Sequence, residues 1–201
     1  GFTKRSFDPT QPKYKNSPNS EIFHKSSYLY GVHLVDRSSD EIRITEGAFD
    51  VILSDMYHAS NVVGTLGTSF TESHIALIRN LNKIPVLCMD GDKAGRRSIE
   101  KAGSLLLNAG IYCKVLPLPD NMDMADLALQ QKENLESYIQ DNSISYGSYM
   151  LSDSLKAYEA AIDELNMKML PQLKQSLSMI KNQDEQKVMR DRIHRNTGLM
   201  L

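Results

Sequence analysis

An α/β fold is predicted for this 201-residue sequence: a short parallel-type sheet flanked by helices, with a helical subdomain after it. Three features predict it. Strand-length apolar runs alternate with helix-period segments from about residue 41 to residue 116, the pattern of a parallel sheet with crossover helices. One run, Ile84 to Met89, is nearly all apolar, as expected of a strand covered on both faces. Beyond about residue 141 the strand signals stop and only helical periodicity continues.

The elements follow in order. Residues 1–30 are rich in Lys, Ser, Pro and Tyr, and Pro9, Pro12 and Pro18 punctuate them, so short strands and loops are expected. Ile42 to Thr45 reads as a strand, with Glu46-Gly47 directly after it. Phe49 to Tyr57 has helical spacing, with Phe49, Ile52, Leu53 and Met56 as its apolar face. Asn61 to Val63 is a second strand, ended by Gly64 and Gly67. Ser69 or Thr71 caps a helix whose apolar face is Ile75, Leu77, Ile78 and Leu81. A helix from about Arg97 to Ala109 gathers Ile99, Ala102, Leu106 and Ala109, Gly110 ends it, and Ile111 to Leu116 is a further strand. Leu155 to Leu170, Gln172 to Ile180 and Glu185 to Arg195 read as three amphipathic helices, separated by Pro171 and by Lys181 to Asp184. Met167, Met169, Met179 and Met189 on them are expected to fill core. The chain thus divides into residues 1–40, 41–140 and 141–201.

With 41% apolar and 24% charged residues the composition is that of an ordinary soluble globular protein. A net charge of −2 advertises no polyanion binding, so any such surface must be local. The candidate is the first thirty residues, with Lys4, Arg5, Lys13, Lys15 and Lys25 against Asp8 and Glu21. Cys88 and Cys113 lie far apart in apolar runs, as buried reduced thiols do, and no Cys/His spacing marks a zinc site in this segment. His24, His33, His58, His74 and His194 likewise lack ligand spacing. No run reaches membrane-spanning length and no signal peptide is present, so a cytoplasmic location without membrane attachment is expected. The opening Gly1-Phe2, without methionine, reads as an excised piece of a longer protein.

Acidic residues stand where strands end: Glu46 after the first strand of the α/β region, and Asp90-Gly91-Asp92 after Ile84 to Met89. Functional sites of parallel sheets collect at those ends. If the two strands are neighbours, Glu46, Asp90 and Asp92 converge, and such a cluster needs a hard cation, Mg²⁺ or Mn²⁺, to relieve its repulsion. Gly91 is expected to allow a tight turn there. Lys93 to Arg97, opening the next helix, would suit a phosphate beside the metal. Carboxylates, divalent ions and phosphate together imply phosphoryl or nucleotidyl chemistry. Taken singly, Asp-Gly-Asp is more often just a turn, and Asp50 is either a secondary acid or a helix cap.

Glu46-Gly47-Ala48-Phe49-Asp50 followed by Asp90-Gly91-Asp92-Lys93-Ala94-Gly95-Arg96 resembles the Toprim domain, which pairs a glutamate after one strand with D-x-D after another. The D-G-D-x-A-G-R form, together with Gly64-Thr65-Leu66-Gly67-Thr68-Ser69, is most similar to DnaG-type primases. So are the upstream segments Lys13-Tyr14-Lys15-Asn16-Ser17-Pro18 and Phe23-His24-Lys25, and Gly1-Phe2 with Arg5 before them. The resemblance implies a basic subdomain ending within 1–40, a Toprim domain over 41–140 and a helical subdomain over 141–201. It implies that Glu46, Asp90 and Asp92 are catalytic, and that metal is held by Asp90, Asp92, Asp123, Asp126 and Glu46. Glu46 is alternatively an aid to proton transfer. Arg5, Lys13, Asn16 and Lys25 become candidates for nucleotide and nucleic-acid binding. The sequence departs from the family at its third acidic motif, D-P-D. Here Asp123 matches the first aspartate, Ala125 stands at the second, and Asp126 comes one residue late.

What the resemblance implies is an RNA-primer-synthesising polymerase core. It would use a single-stranded DNA template, ribonucleoside triphosphates and a growing RNA primer, with a replicative helicase as a partner through parts absent here. The rival readings are a Toprim nuclease or topoisomerase piece and a non-catalytic, RecR-like DNA-binding module. The lysine motifs at 13–25 favour the primase over the first. The presence of Glu46, Asp90 and Asp92 weighs against the second.

Overall fold

The computed structural model describes every residue except 1, 2, 9, 12, 13, 22, 23, 68, 161–165, 198 and 199. Two short strands, β1 (Thr3–Arg5) and β2 (Tyr14–Asn16), pair antiparallel as a separate ribbon. There follow β3 (Glu41–Thr45), α1 (Ala48–Met56), β4 (Val62–Gly64), α2 (Glu72–Leu81), β5 (Ile84–Leu87), α3 (Lys93–Asn108) and β6 (Lys114–Val115). Then come α4 (Met124–Gln131), α5 (Leu135–Asn142), β7 (Ile144–Ser145), α6 (Tyr146–Ala160), α7 (Asn166–Ser178) and α8 (Gln183–Thr197).

The sheet runs in the order β4-β3-β5-β6-β7. Its first four strands are parallel, and β7 closes the edge antiparallel to β6. Side chains alternate through it as the pleat requires. Ile42, Ile44, Leu87, Met89 and Val115 face one side, packed under Ile75 and Ile78 of α2 and Ile99, Ala102 and Leu106 of α3. Val62, Val86, Cys88 and Leu116 face the other, packed under Val51 of α1, Met124 and Leu127 of α4, and Leu135 and Ile139 of α5. Both cysteines are buried and unbonded to each other, and burial raises each thiol to about 12. A third cluster, Leu151, Leu173, Leu177, Ile180 and Ile193 with Met189, is the core of the helical end. Tyr146, Tyr149 and Met150 of α6 also pack against the first cluster, so that helix belongs to both units.

Several sequence expectations need correction. Phe49, Ile52 and Met56 are about half exposed, whereas Asp50, Val51 and Ser54 turn inward. The rotation of α1 is fixed by the Asp50 carboxylate, which accepts the Gly47 N–H at 2.8 Å and faces the strand ends, and an apolar count does not register that bond. α3 begins at Lys93, a turn earlier than Arg97, because Asp92 caps it. α4, α5 and the two-residue β7 gave too short a periodicity to read. Pro171 lies inside α7 rather than between helices. The expected helix Leu155 to Leu170 runs partly over 161–165, outside the described residues.

Arg43 carries a deeply buried charge into this core. Arg43, 2% exposed on β3, donates to the Ser60 carbonyl at 2.6 Å and to Glu136 Oε1 of α5 at 2.7 Å, and lies 3.8 Å from Glu41. Removing one partner of such a pair leaves an uncompensated charge. Glu136→Ala should therefore lower the unfolding free energy in urea by about 3 kcal/mol, with most of it regained in Arg43→Met/Glu136→Leu. A single variant as stable as the parent would show that the pair is not stabilising β3 against α5.

Candidate active site

β3 and β5 are adjacent and in parallel register, Ile44 opposite Leu87, so the residues after them leave the sheet side by side. Glu46 thereby meets Asp90, the convergence anticipated for neighbouring strands. The Asp90-Gly91-Asp92 turn is docked in turn against the loop before α4. Gly91 N–H donates to the Met122 carbonyl at 2.8 Å, and Asn121 N–H donates to the Gly91 carbonyl at 3.2 Å. A Cβ on Gly91 would stand 1.9 Å from the Pro119 carbonyl oxygen, and one on Gly95 would stand 1.9 Å from that of Asp90. The first glycine is thus required by close backbone approach rather than by turn geometry, and the approach delivers Asp123 to the aspartates.

Each helix that starts here is capped by an acid of the group. Asp92 Oδ1 accepts Gly95 N–H at 2.7 Å on α3. Asp123 Oδ1 accepts Asp126 N–H at 2.7 Å on α4. Asp50 accepts Gly47 N–H on α1. Burial raises Asp90 to about 7, helped by the charges of Glu46, Asp50, Asp123 and Asp92. Burial also raises Glu46, with the charge of Asp92 adding, the Asp90 N–H opposing and Asp50 adding further. Asp50 is raised by burial, opposed by the Gly47 N–H and reinforced by Asp123. Asp50 is thus both cap and cluster member. Asp126 is not among the charges acting on these groups; its carboxylate turns back to the Asp123 N–H at 3.3 Å.

The donor set fits a hard divalent cation. All its members are carboxylates, and Glu46 Oε1 is buried with no hydrogen-bond partner. Among the described residues no three of them close to coordination distance, so the site is a gathering of charge, not a formed shell. Charges act on one another well beyond the reach of a metal–oxygen bond, which reconciles the two observations.

A cleft of about 170 Å³ opens from Glu46, between the loop carrying Thr65, Gly67 and Ser69 and the flank of α3 carrying Ser98 and Lys101. Tyr30 fastens the preceding segment to this region through paired backbone bonds with Gly64, 2.8 and 2.9 Å. That segment brings Lys25, whose Nζ lies 4.0 Å from where a Gly67 Cβ would stand and whose pKa burial lowers. Arg5 lies on β1 and Asn16 on β2, and Lys13 is outside the described residues. Arg96 is engaged by Asp120 at 3.2 Å and by the Gly91 carbonyl at 3.3 Å. Sequence reasoning missed Ser98 and Lys101; their one signal was a polar pair three apart on an amphipathic helix. His74 is fully buried, its Nδ1 accepting the Thr71 N–H at 3.2 Å, in line with a structural histidine.

Asp90 binds its proton more tightly in the folded chain than in the unfolded one. Between 3.8 and about 7 the folded state therefore carries the extra proton, and metal-free stability falls as pH rises through that window. Urea denaturation at pH 5 and pH 8 should show that loss, Asp90→Asn should flatten it, and Mg²⁺ or Mn²⁺ should restore stability at pH 8. Equal stability at both pH values would contradict the burial and repulsion that raise Asp90. Gly91→Ala should cost about 2 kcal/mol by overpacking and weaken Mn²⁺ binding by withdrawing Asp123. Unchanged Mn²⁺ titration in that variant would detach the third acidic motif from the site.

The family described as Toprim-like matches residues 43–128, and that described as the DNA primase catalytic core, N-terminal domain, matches residues 1–36. A DNA primase of Staphylococcus aureus (strain COL) is 33% identical over 186 residues, 90% of this chain and 31% of the relative. One of Staphylococcus epidermidis is 35% identical over 150 residues, 73% of this chain and 25% of the relative. The chain thus spans less than a third of the curated relatives it matches. The crystal structure of a DNA primase domain from Pseudomonas aeruginosa superposes with a TM-score of 0.74 at 29% identity, covering 98% of this chain and 64% of that one. By sequence and by fold the chain belongs to the DnaG-type DNA primases, as a Toprim-containing segment of their catalytic core.

Proposed function

We propose that this chain carries the catalytic centre of an enzyme that makes RNA primers on single-stranded DNA by metal-dependent nucleotidyl transfer. The observation that carries the reading is the acid cluster at the ends of β3 and β5, with Glu46 opening onto a cleft flanked by lysines. The primase relatives support the choice of reaction. Asp90, Asp92 and Asp123, with Glu46 beside them, would hold Mg²⁺ or Mn²⁺; Asp126 is the weaker candidate, being turned into its own helix cap. The bound cation would neutralise charge developing on a nucleoside triphosphate.

The chain's own residues do the rest. Asp92 and Asp123 each spend one oxygen on a helix N-terminus, which fixes the carboxylate and leaves the second oxygen for the ligand. Glu46, raised by burial and bearing an unpartnered Oε1, would take the proton of a primer 3′-hydroxyl as that oxygen bonds to the α-phosphate and the bond to the departing pyrophosphate breaks. Lys25, with Arg5, Lys13 and Asn16 of the same amino-terminal segment, would contact phosphates of template and nucleotide. Residues 1–40 then act as the end of a basic subdomain, 41–140 as the catalytic domain and 141–201 as a helical subdomain. No helix among the described residues is long and apolar enough to cross a membrane, in keeping with work in the cytoplasm beside a replicative helicase.

Primer synthesis on single-stranded DNA with ribonucleoside triphosphates and Mg²⁺ tests the reading. Glu46→Gln and Asp92→Asn should each lower the rate at least about a hundredfold. Asparagine still accepts the Gly95 N–H, so metal-free stability of Asp92→Asn should stay within about 0.5 kcal/mol of the parent. An Asp92→Asn that keeps the parent's rate would reduce that residue to a cap and remove the assignment. Cleavage of DNA without primer formation would favour the nuclease reading instead.

A further inference from the structure

We propose that the cleft between the 64–70 loop and α3 is a phosphate-binding subsite in which Lys101, with Ser98, holds the anion. The inference rests on the phosphate chemistry proposed above and adds residues to it. The cleft is lined by Glu46, Ser69, Phe70, Met89, Ser98 and Lys101, so serine hydroxyls, apolar side chains, a cation and a carboxylate share it. It therefore offers donors beside apolar side chains, with Lys101 as its cation and Glu46 as its link to the acid cluster.

Lys101 is the cation suited to the task. Several basic groups around the sheet are occupied, Arg43 by Glu136, Lys114 by Glu41 and Arg96 by Asp120, whereas Lys101 lines the cleft itself. Among the described residues no carboxylate lies within ion-pair distance of Lys101. Ser98 and Lys101 are three residues apart on α3, hence neighbours on one face. Side chains on a helix lean toward its N-terminus, so Lys101 reaches back along Ser98 toward the Asp92 end and the cluster. Lys25 approaches the loop at Gly67, so the two lysines flank the segment a phosphate would lie against. A polyanion nearing a group of carboxylates is repelled unless cations stand on the open side, and this flank supplies them.

The anion is a phosphate group, either of a nucleoside triphosphate or of a nucleic-acid backbone. Direct binding separates the two: a fluorescent ATP analogue with Mn²⁺, and a fluorescein-labelled oligo-dT over a salt series, each titrated with the parent, Lys101→Ala, Lys101→Arg and Ser98→Ala. Lys101→Ala should weaken one probe about tenfold, Lys101→Arg should recover most of it, and Ser98→Ala should weaken the same probe less. A loss confined to the ATP analogue assigns the triphosphate. A loss on oligo-dT, with the salt slope lowered by about one, assigns the backbone. Lys101 is exposed, so thermal melting should show Lys101→Ala folded as the parent is. Parent affinity retained by Lys101→Ala for both probes overturns this inference while leaving the primase reading intact. A parent chain that binds neither probe overturns both.

Discussion

Carboxylates from four segments share the carboxyl ends of β3 and β5, close enough that burial and mutual charge lift Asp90 to about 7. Packed without a counter-charge, such a group destabilises the fold that contains it. The surrounding structure answers this in two ways. α1, α3 and α4 all begin here, each capped by an acid of the group, so three positive helix ends point at the negative charge. The remaining deficit is left for a cation, and Glu46 Oε1, buried without a partner, marks where it is felt.

Backbone contact is what makes the gathering possible. The Asp90-Gly91-Asp92 turn lies against residues 119–122 so closely that Gly91 has no room for a side chain, and Gly95 meets the Asp90 carbonyl in the same manner. The glycines and aspartates of this motif are therefore one device: the first kind permits the approach, and the second profits from it. The same economy governs α1. Its rotation follows Asp50 inward and leaves Phe49, Ile52 and Met56 half exposed, so the local arrangement serves the site before the core.

The positive side of the site is built from distant parts of the chain. Lys25 arrives with the amino-terminal segment that Tyr30 fastens to Gly64, while Lys101 arrives on the third turn of α3. Between them stands the 64–70 loop. Acids on the strand ends and cations across the cleft give a divided field, negative where a metal would rest and positive where a phosphate would lie. A net charge of −2 conceals this division.

Much of this was legible from residue order alone. Strand runs Ile42–Thr45 and Ile84–Met89, each followed by acids, identified the α/β class and named Glu46, Asp90 and Asp92, because apolar periodicity and position after a strand are local properties. The motif spacing carried the family. What residue order did not contain was anything set by contact between segments. The inward turn of Asp50, the part of Asp126 in a cap, the dependence of Gly91 on the Pro119 carbonyl and the place of Lys101 on the cleft that Glu46 lines are all of that kind. They arise from backbones and side chains far apart in sequence, and only the closed fold decides which of them meet.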